Sequence, residues 1–352
     1  MVSAAPPRVS DHVHRDAYQL AVDARDPRFD GVFFVAITTT RVYCRPCCPS
    51  RMAYDRHRRF FDSAAAAERA GFRPCLRCRP ELAPGRTSLA AVSRLAQVAA
   101  QRIAAGALNG RSVADLAAEL GVSERHLRRA LERETSVSPL ELAKTHRLLL
   151  AKRLIVDTDL PMTRVAYASG FQSLRRFNVV FREQYRMPPS ALRRGRRTAA
   201  KDGALKLTLS YRPPLDWKAL VAEVGREAIV SIDGHTGRVS VENSPGDAHL
   251  VVEIAESLLP VLMPLIAGLR RVFDLDAEPA VIDAHLAANG LAALVARHPG
   301  VRLPGMLERL EGALPDEFPA ANRALRARAE RWRPWRSYAA QLLLGKRQTG
   351  ND

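Results

Sequence analysis

Three domains of different class are predicted along these 352 residues: a small α+β zinc domain, an all-α domain with two helix-turn-helix units, and an α+β domain with an antiparallel sheet. Three observations carry the expectation. Four of the five cysteines fall in two short-spaced pairs between 44 and 78, helical apolar spacing repeats twice between 112 and 181, and strand-like alternation returns after 204. Two stretches with turn composition, Glu81–Thr87 and Arg193–Gly203, separate the three. The expected boundaries are therefore 1–83, 88–198 and 204–352.

In the first domain Cys44 and Cys48 form a C-x3-C pair, and Cys75 and Cys78 a C-x2-C pair 26 residues further on. Two such pairs supply the four-sulfur tetrahedral shell that Zn2+ prefers, and without other cysteines outside 44–78 there is no disulfide framework to compete. One zinc ion is expected on Cys44, Cys48, Cys75 and Cys78. Cys47 is read as a bystander.

The surrounding sequence is more specific than the spacing. Phe29-Asp30-Gly31, then Tyr43-Cys44-Arg45-Pro46-Cys47-Cys48-Pro49-Ser50-Arg51, then Gly71-Phe72-Arg73-Pro74-Cys75-Leu76-Arg77-Cys78-Arg79-Pro80 resemble the N-terminal domain of the bacterial Ada proteins over about residues 10–83. The resemblance implies a zinc-bound cysteine that accepts a methyl group, irreversibly and once, from methyl phosphotriesters in DNA. Cys44 stands at the acceptor position, which makes the zinc both structural and catalytic. Arg41 stands where that family has a glycine.

The chemistry that this implies is sound on general grounds. A free thiol with a pKa of ~8.5 is mostly protonated at neutral pH, whereas a zinc-bound one is held as the nucleophilic thiolate. Four thiolates on Zn2+ carry a formal charge of minus two, which repels phosphodiesters but admits a neutral methyl phosphotriester. Arg45, Arg51, Arg73 and Arg77, with Arg79, are expected to hold the flanking charged phosphates.

In the second domain, Ser112 to Leu131 reads as helix, turn at Gly121, then a helix capped by Ser123. Pro161 to Phe181 repeats the plan around Gly170, and a helix over Pro139–Val156 joins the two units. Leu127 and Leu131, and Phe177 and Phe181, lie four apart and should face inward. That leaves Arg125, Arg128 and Arg129 in the first recognition helix and Arg175, Arg176 and Asn178 in the second to face DNA, with Ser123 and Ser173 at their starts. Gly170-Phe171-Gln172-Ser173 and Phe177-x3-Phe181 resemble the AraC family of transcription factors over about residues 90–194.

In the third domain Ala204–Tyr211 alternates like a strand, Leu250–Ile254 reads as a buried strand and Leu259–Leu275 as a helix. Tyr211-Arg212-Pro213-Pro214-Leu215-Asp216-Trp217 and Phe273-Asp274-Leu275-Asp276 resemble the N-terminal domain of AlkA-type 3-methyladenine glycosylases. After Gly305 the family's helix-hairpin-helix does not follow, and Asn322 stands where its catalytic aspartate would. An amide cannot stabilise an oxocarbenium ion, so no glycosylase activity is expected, and residues 204–352 are expected to be dispensable for methyl transfer.

Charge agrees with this division. Residues 1–200 hold 35 Lys and Arg against 18 Asp and Glu, and residues 201–352 hold 19 of each. All of the net +17 therefore sits in the first two domains, the electrostatic signature of a nucleic-acid partner. The expected partners are double-stranded DNA, as methylated backbone and as promoter operator, and RNA polymerase. No membrane is expected, since the longest apolar stretch, near Leu258–Leu269, is short and broken by prolines; the expected location is the cytoplasm, at the nucleoid. Two other readings stay open: an AraC-type regulator with a purely structural or thiol-sensing zinc, and a 3-methyladenine glycosylase.

Overall fold

The computed structural model describes residues 11–85, 94–193, 204–303, 305, 330–333 and 335–344. Helix α1 (Asp11–Asp23) packs on a four-stranded sheet of order β3-β1-β2-β4, with β1 (Phe34–Ile37), β2 (Val42–Cys44), β3 (Arg58–Phe61) and β4 (Arg73–Pro74). Strand β1 is apolar and buried at every position because it is an inner strand covered on both faces. Its outer faces meet Tyr18 and Phe60 on one side and Phe72 on the other. Helix α2 (Ala64–Arg69), capped by Ser63 on the Ala66 N–H, leads into β4.

Strands β2 and β4 run parallel, with Tyr43 opposite Pro74, and the Cys75 N–H donates to the Tyr43 carbonyl at 2.9 Å. Both strands therefore release a cysteine at the same end of the sheet.

The all-α part consists of α3 (Arg94–Ala104), α4 (Val113–Glu119), α5 (Glu124–Thr135), α6 (Pro139–Asp157), α7 (Met162–Ala168), α8 (Leu174–Tyr185) and α9 (Pro189–Leu192). Local signals fix the ends. Ser112 with Asp115 and Ser138 with Glu141 form capping boxes, Pro139 occupies the first turn of α6, and Gly121 (φ 66) and Gly170 (φ 88) take the left-handed turns. Leu127, Leu131, Phe177 and Phe181 are each fully buried, as their spacing predicts, and each such side chain contributes about 1.5–3 kcal/mol of burial. The second half of helix α6 is enclosed on nearly all sides, while Lys144 in its first half stays exposed. Even its Lys152 and Arg153 are buried, because the zinc domain, the two helix-turn-helix units and the third domain all close around it.

The third domain is an antiparallel sheet of order β5-β8-β7-β6, with β5 (Leu205–Ser210), β6 (Glu227–Ile232), β7 (His235–Ser244) and β8 (His249–Ile254). Around it lie α10 (Trp217–Val224), α11 (Leu262–Val272), α12 (Pro279–Leu286), α13 (Ala292–Arg297) and α14 (Arg336–Leu344). The β6–β7 hairpin was not among the sequence expectations, although its turn, Asp233-Gly234 at φ 48 and 78, is a strong two-residue hairpin signal. The helix expected over 259–275 starts later, because Pro260 holds Glu256–Val261 in a 3-10 turn.

One described helical run, 279–297, is long and apolar enough, by length and composition only, to cross a membrane, a stretch the sequence expectation did not single out. It bends at Asn289 and Gly290, and its Ile282, Leu286 and Leu291 pack with Trp332 and Trp335. Asn322 and the segment that departs from the AlkA pattern lie outside the described residues, as do Arg86 and Thr87 of the first expected linker and residues 194–203 of the second.

Candidate metal and methyl-acceptor site

Cys44 ends β2, Cys48 follows one turn later, and Cys75 and Cys78 leave β4. Their four sulfurs lie within 4.8 Å of one another, and all four residues are buried. A tetrahedron with Zn–S bonds of ~2.3 Å has edges of about 3.8 Å. Four soft donors converging at that spacing, with no carboxylate or imidazole among them, fit Zn2+. Cys47 lies outside the cluster, and burial pushes its thiol up to about 11.

The four sulfurs are not equivalent. The backbone N–H of Arg45 donates to Cys78 Sγ at 3.4 Å and that of Arg77 to Cys75 Sγ at 3.3 Å. Among the described hydrogen bonds, no backbone N–H reaches Cys44 or Cys48. A sulfur that accepts N–H bonds holds its electron pair more tightly, so Cys44 and Cys48 keep more available pairs than Cys75 and Cys78.

Around the cluster the arginines divide by use. Asp30 pairs with Arg45 through both carboxylate oxygens, with Nε to Oδ1 at 2.8 Å, and Arg45 Nη1 also donates to the Cys78 carbonyl at 3.2 Å. Arg45 thus ties the cysteine loop to Asp30, an engagement that the sequence did not announce. Arg79 likewise pairs with Asp157 at 2.6 Å and Glu81 at 3.1 Å. Arg51 and Arg77 are exposed and Arg73 half-buried, which leaves them open to an anionic ligand. Arg41 takes φ 56, the glycine-like conformation, and its guanidinium stacks 5.1 Å from the Phe72 ring centre.

Two polar links run from this site to α6, and sequence reasoning gave neither. Tyr43, next to Cys44, donates to buried Glu68 at 3.0 Å, and Thr145 of α6 donates to the other oxygen of the same carboxylate at 2.7 Å. Lys152 of α6 pairs with Glu81, both side chains buried, and donates to the Cys75 carbonyl at 3.0 Å. Neither pairing has a local sequence signal, since partners stand 71 to 77 residues apart.

On the recognition helices α5 and α8, Arg125, Arg129, Arg175 and Arg176 are exposed and Asn178 is half-exposed. Arg128 is tied to Glu124 one turn back at 2.5 Å. Ser123 and Ser173 accept the N–H of His126 and Arg176 as helix caps, each at 3.2 Å, which still leaves their hydroxyl protons free to donate.

Residues 17–81 match the family described as the metal binding domain of Ada, 116–195 a helix-turn-helix domain, and 206–308 the AlkA N-terminal domain. A probable bifunctional transcriptional activator/DNA repair enzyme AlkA from Mycobacterium tuberculosis is 35% identical over 314 residues. That match covers 84% of this chain and 63% of the mycobacterial protein, so the chain spans less than two thirds of that relative's length. The bifunctional transcriptional activator/DNA repair enzyme Ada of Escherichia coli is 49% identical over 63 residues, 18% of each chain. The corresponding enzyme AdaA of Bacillus subtilis is 24% identical over 175 residues, covering 49% of this chain and 80% of that one. The chain thus carries, in this order, a segment that matches the metal binding domain of Ada, a helix-turn-helix domain and an AlkA N-terminal domain.

Proposed function

We propose that this protein accepts a methyl group from DNA methyl phosphotriesters on Cys44 and, once methylated, binds promoter DNA as a transcriptional activator. The observation that carries the reading is the cluster itself: four buried converging sulfurs inside a segment that matches the metal binding domain of Ada, with Cys44 and Cys48 lacking a backbone N–H donor among the described hydrogen bonds. In the transfer, the Cys44 sulfur pair attacks the methyl carbon, an S–C bond forms, and the C–O bond breaks with its electron pair on the phosphate oxygen. The products are a thioether and an ordinary phosphodiester, with no proton moved. When bound on Cys44, Cys48, Cys75 and Cys78, zinc keeps the sulfurs deprotonated at neutral pH. Arg45, anchored by Asp30, holds the loop between Cys44 and Cys48, and Arg51, Arg73 and Arg77 take the flanking phosphates. A neutral thioether does not return its methyl to a phosphodiester oxygen, so each molecule acts once.

On this reading the partition is 1–83, 88–198 and 204–352, with Arg125, Arg128, Arg129, Arg175, Arg176 and Asn178, helped by Ser123 and Ser173, facing operator DNA. RNA polymerase is the partner that activation requires, and the cytoplasm, at the nucleoid, is where both DNA and reduced thiols are found. The third domain is a truncated AlkA-like unit without glycosylase activity. Intact-mass measurement after incubation with methylated duplex DNA, followed by peptide mapping, tests the core claim. One methyl per chain on Cys44, absent from Cys44→Ala, is expected. Methyl uptake at another residue, or none while zinc is bound, leaves an AraC-type regulator with a structural zinc as the better reading.

A further inference from the structure

The Asp30–Arg45 pair beside the cysteine cluster is held from the third domain. Arg212, just after β5, is buried, and its guanidinium donates to four carbonyl oxygens: Asp30 at 2.9 Å, Gly85 at 2.6 Å, Asp276 at 2.9 Å and Ala277 at 3.4 Å. Two of those acceptors belong to the zinc domain and its exit segment, two to the third domain. The approach is close. Gly31 lies at φ +73, and a Cβ there would stand 1.9 Å from the Pro84 carbonyl oxygen and 3.2 Å from Arg212 Nη2. The Asp30-Gly31 step thus fits only as glycine-bearing backbone against this guanidinium.

From Asp30 the path to the cysteines is short. Its carboxylate grips Arg45, the Arg45 N–H donates to Cys78 Sγ, and Arg45 Nη1 donates to the Cys78 carbonyl. We propose that Arg212 is a positioning residue for the methyl-acceptor site, fixing the Asp30 backbone and through it the Arg45 frame around the four sulfurs. The proposal rests on the reading of Cys44 as the acceptor. It also reverses the expectation that residues 204–352 are dispensable for transfer: the AlkA-like unit supplies an outer support of the metal centre. Outer partners of this kind change metal affinity or activity by about 10–100-fold when removed.

The test uses the full chain loaded with Zn2+ for transfer and with Co2+ for spectroscopy. Arg212→Ala is expected to slow Cys44 methylation by roughly ten-fold or more, to speed metal release to a chelator, and to shift the sulfur-to-cobalt charge-transfer bands. Arg212→Lys, which keeps the charge and part of the donor set, is expected to recover part of all three. Combined with Asp30→Ala, Arg212→Ala should add little, because both act through one frame. Arg164→Ala, which breaks the Arg164–Glu256 ion pair between the helical and third domains, should leave all three unchanged.

Wild-type metal release and an unshifted cobalt spectrum in Arg212→Ala overturn the proposal, as does full additivity with Asp30→Ala. Should Arg212→Ala not fold, Arg212→Lys alone and on the Asp30→Ala background decides by the same readouts. Should the wild-type protein take up no methyl, the Cys44 reading fails, while metal release and spectrum still decide the role of Arg212.

Discussion

The ammonium of Lys152 donates to the backbone carbonyl of Cys75 across 3.0 Å, so the helix that joins the two helix-turn-helix units touches the metal centre directly. The same ammonium pairs with Glu81, and both side chains are only 1% exposed. A rigid α6 therefore carries the position of the cysteine cluster to both recognition helices.

Removing one member of a buried pair leaves the other as an uncompensated charge, at a cost of about 3–5 kcal/mol. Lys152→Met is expected near the lower end, about 3 kcal/mol, because Arg79 remains 3.1 Å from Glu81. Denaturant unfolding measures it. The double variant Lys152→Met/Glu81→Leu should recover much of the loss, and a single variant as stable as wild type would mean the pair does not hold the two domains together.

Glu68 gives the interface a pH dependence. Burial, opposed by its bonds from Thr145 and Tyr43, raises its carboxyl from 4.5 to about 7. The folded state thus binds this proton more tightly than the unfolded chain, so the contribution of Glu68 to stability is full below 4.5 and is lost as pH rises to about 7. At ~1.4 kcal/mol per unit, the loss across that window is about 3 kcal/mol. Acid also threatens the zinc thiolates, so the decisive quantity is the difference between wild type and Glu68→Gln. That difference should change across the window and flatten above it; parallel curves for the two proteins would remove Glu68 as the cause.

Much of this was legible in the chain because it is local. The cysteine spacing announced the metal, Gly121 and Gly170 announced the turns, and the four-residue spacings of Leu127 with Leu131 and Phe177 with Phe181 separated core from surface. What stayed illegible is what tertiary contact decides. Arg45 and Arg79 read as phosphate ligands, since an arginine run beside a metal site looks the same whether its charges face solvent or carboxylates far along the chain. The structure pairs Arg45 with Asp30, 15 residues away, and Arg79 with Asp157, 78 residues away. Arg212 was quoted only as part of a motif, and its role became visible when its four acceptors did.

The recognition helices allow a clean separation of binding from folding. Arg129→Ala or Arg176→Ala removes an exposed side chain, so stability should stay within about 0.5 kcal/mol of wild type, while each lost base contact weakens operator binding by about 1–3 kcal/mol. Leu127→Ala, at a fully buried position, should instead cost about 2–5 kcal/mol of stability. Circular dichroism melts beside operator titrations separate the two; operator affinity unaffected by both arginine changes would turn these helices away from the bases.

Methylation at Cys44 should itself act as a switch, for an electrostatic reason. Turning a thiolate ligand into a neutral thioether takes the zinc site from a formal charge of minus two to minus one, and repulsion toward DNA phosphates falls. One unit of charge at ~4 Å is worth about 1 kcal/mol in water and about 4 kcal/mol at an effective dielectric near 20. The gain in DNA affinity is therefore expected between roughly ten-fold and several hundred-fold. Because α6 and Arg212 hold the cluster in place, the gain needs no large rearrangement: the zinc domain adds its own DNA contact beside α5 and α8. Being electrostatic, the gain must shrink as salt rises. Operator affinity of the unmethylated and the Cys44-methylated protein across a salt series checks this. Equal affinities at low salt would rule out the charge switch even with methyl transfer established, and a gain that stays constant with salt would point to a change of shape instead.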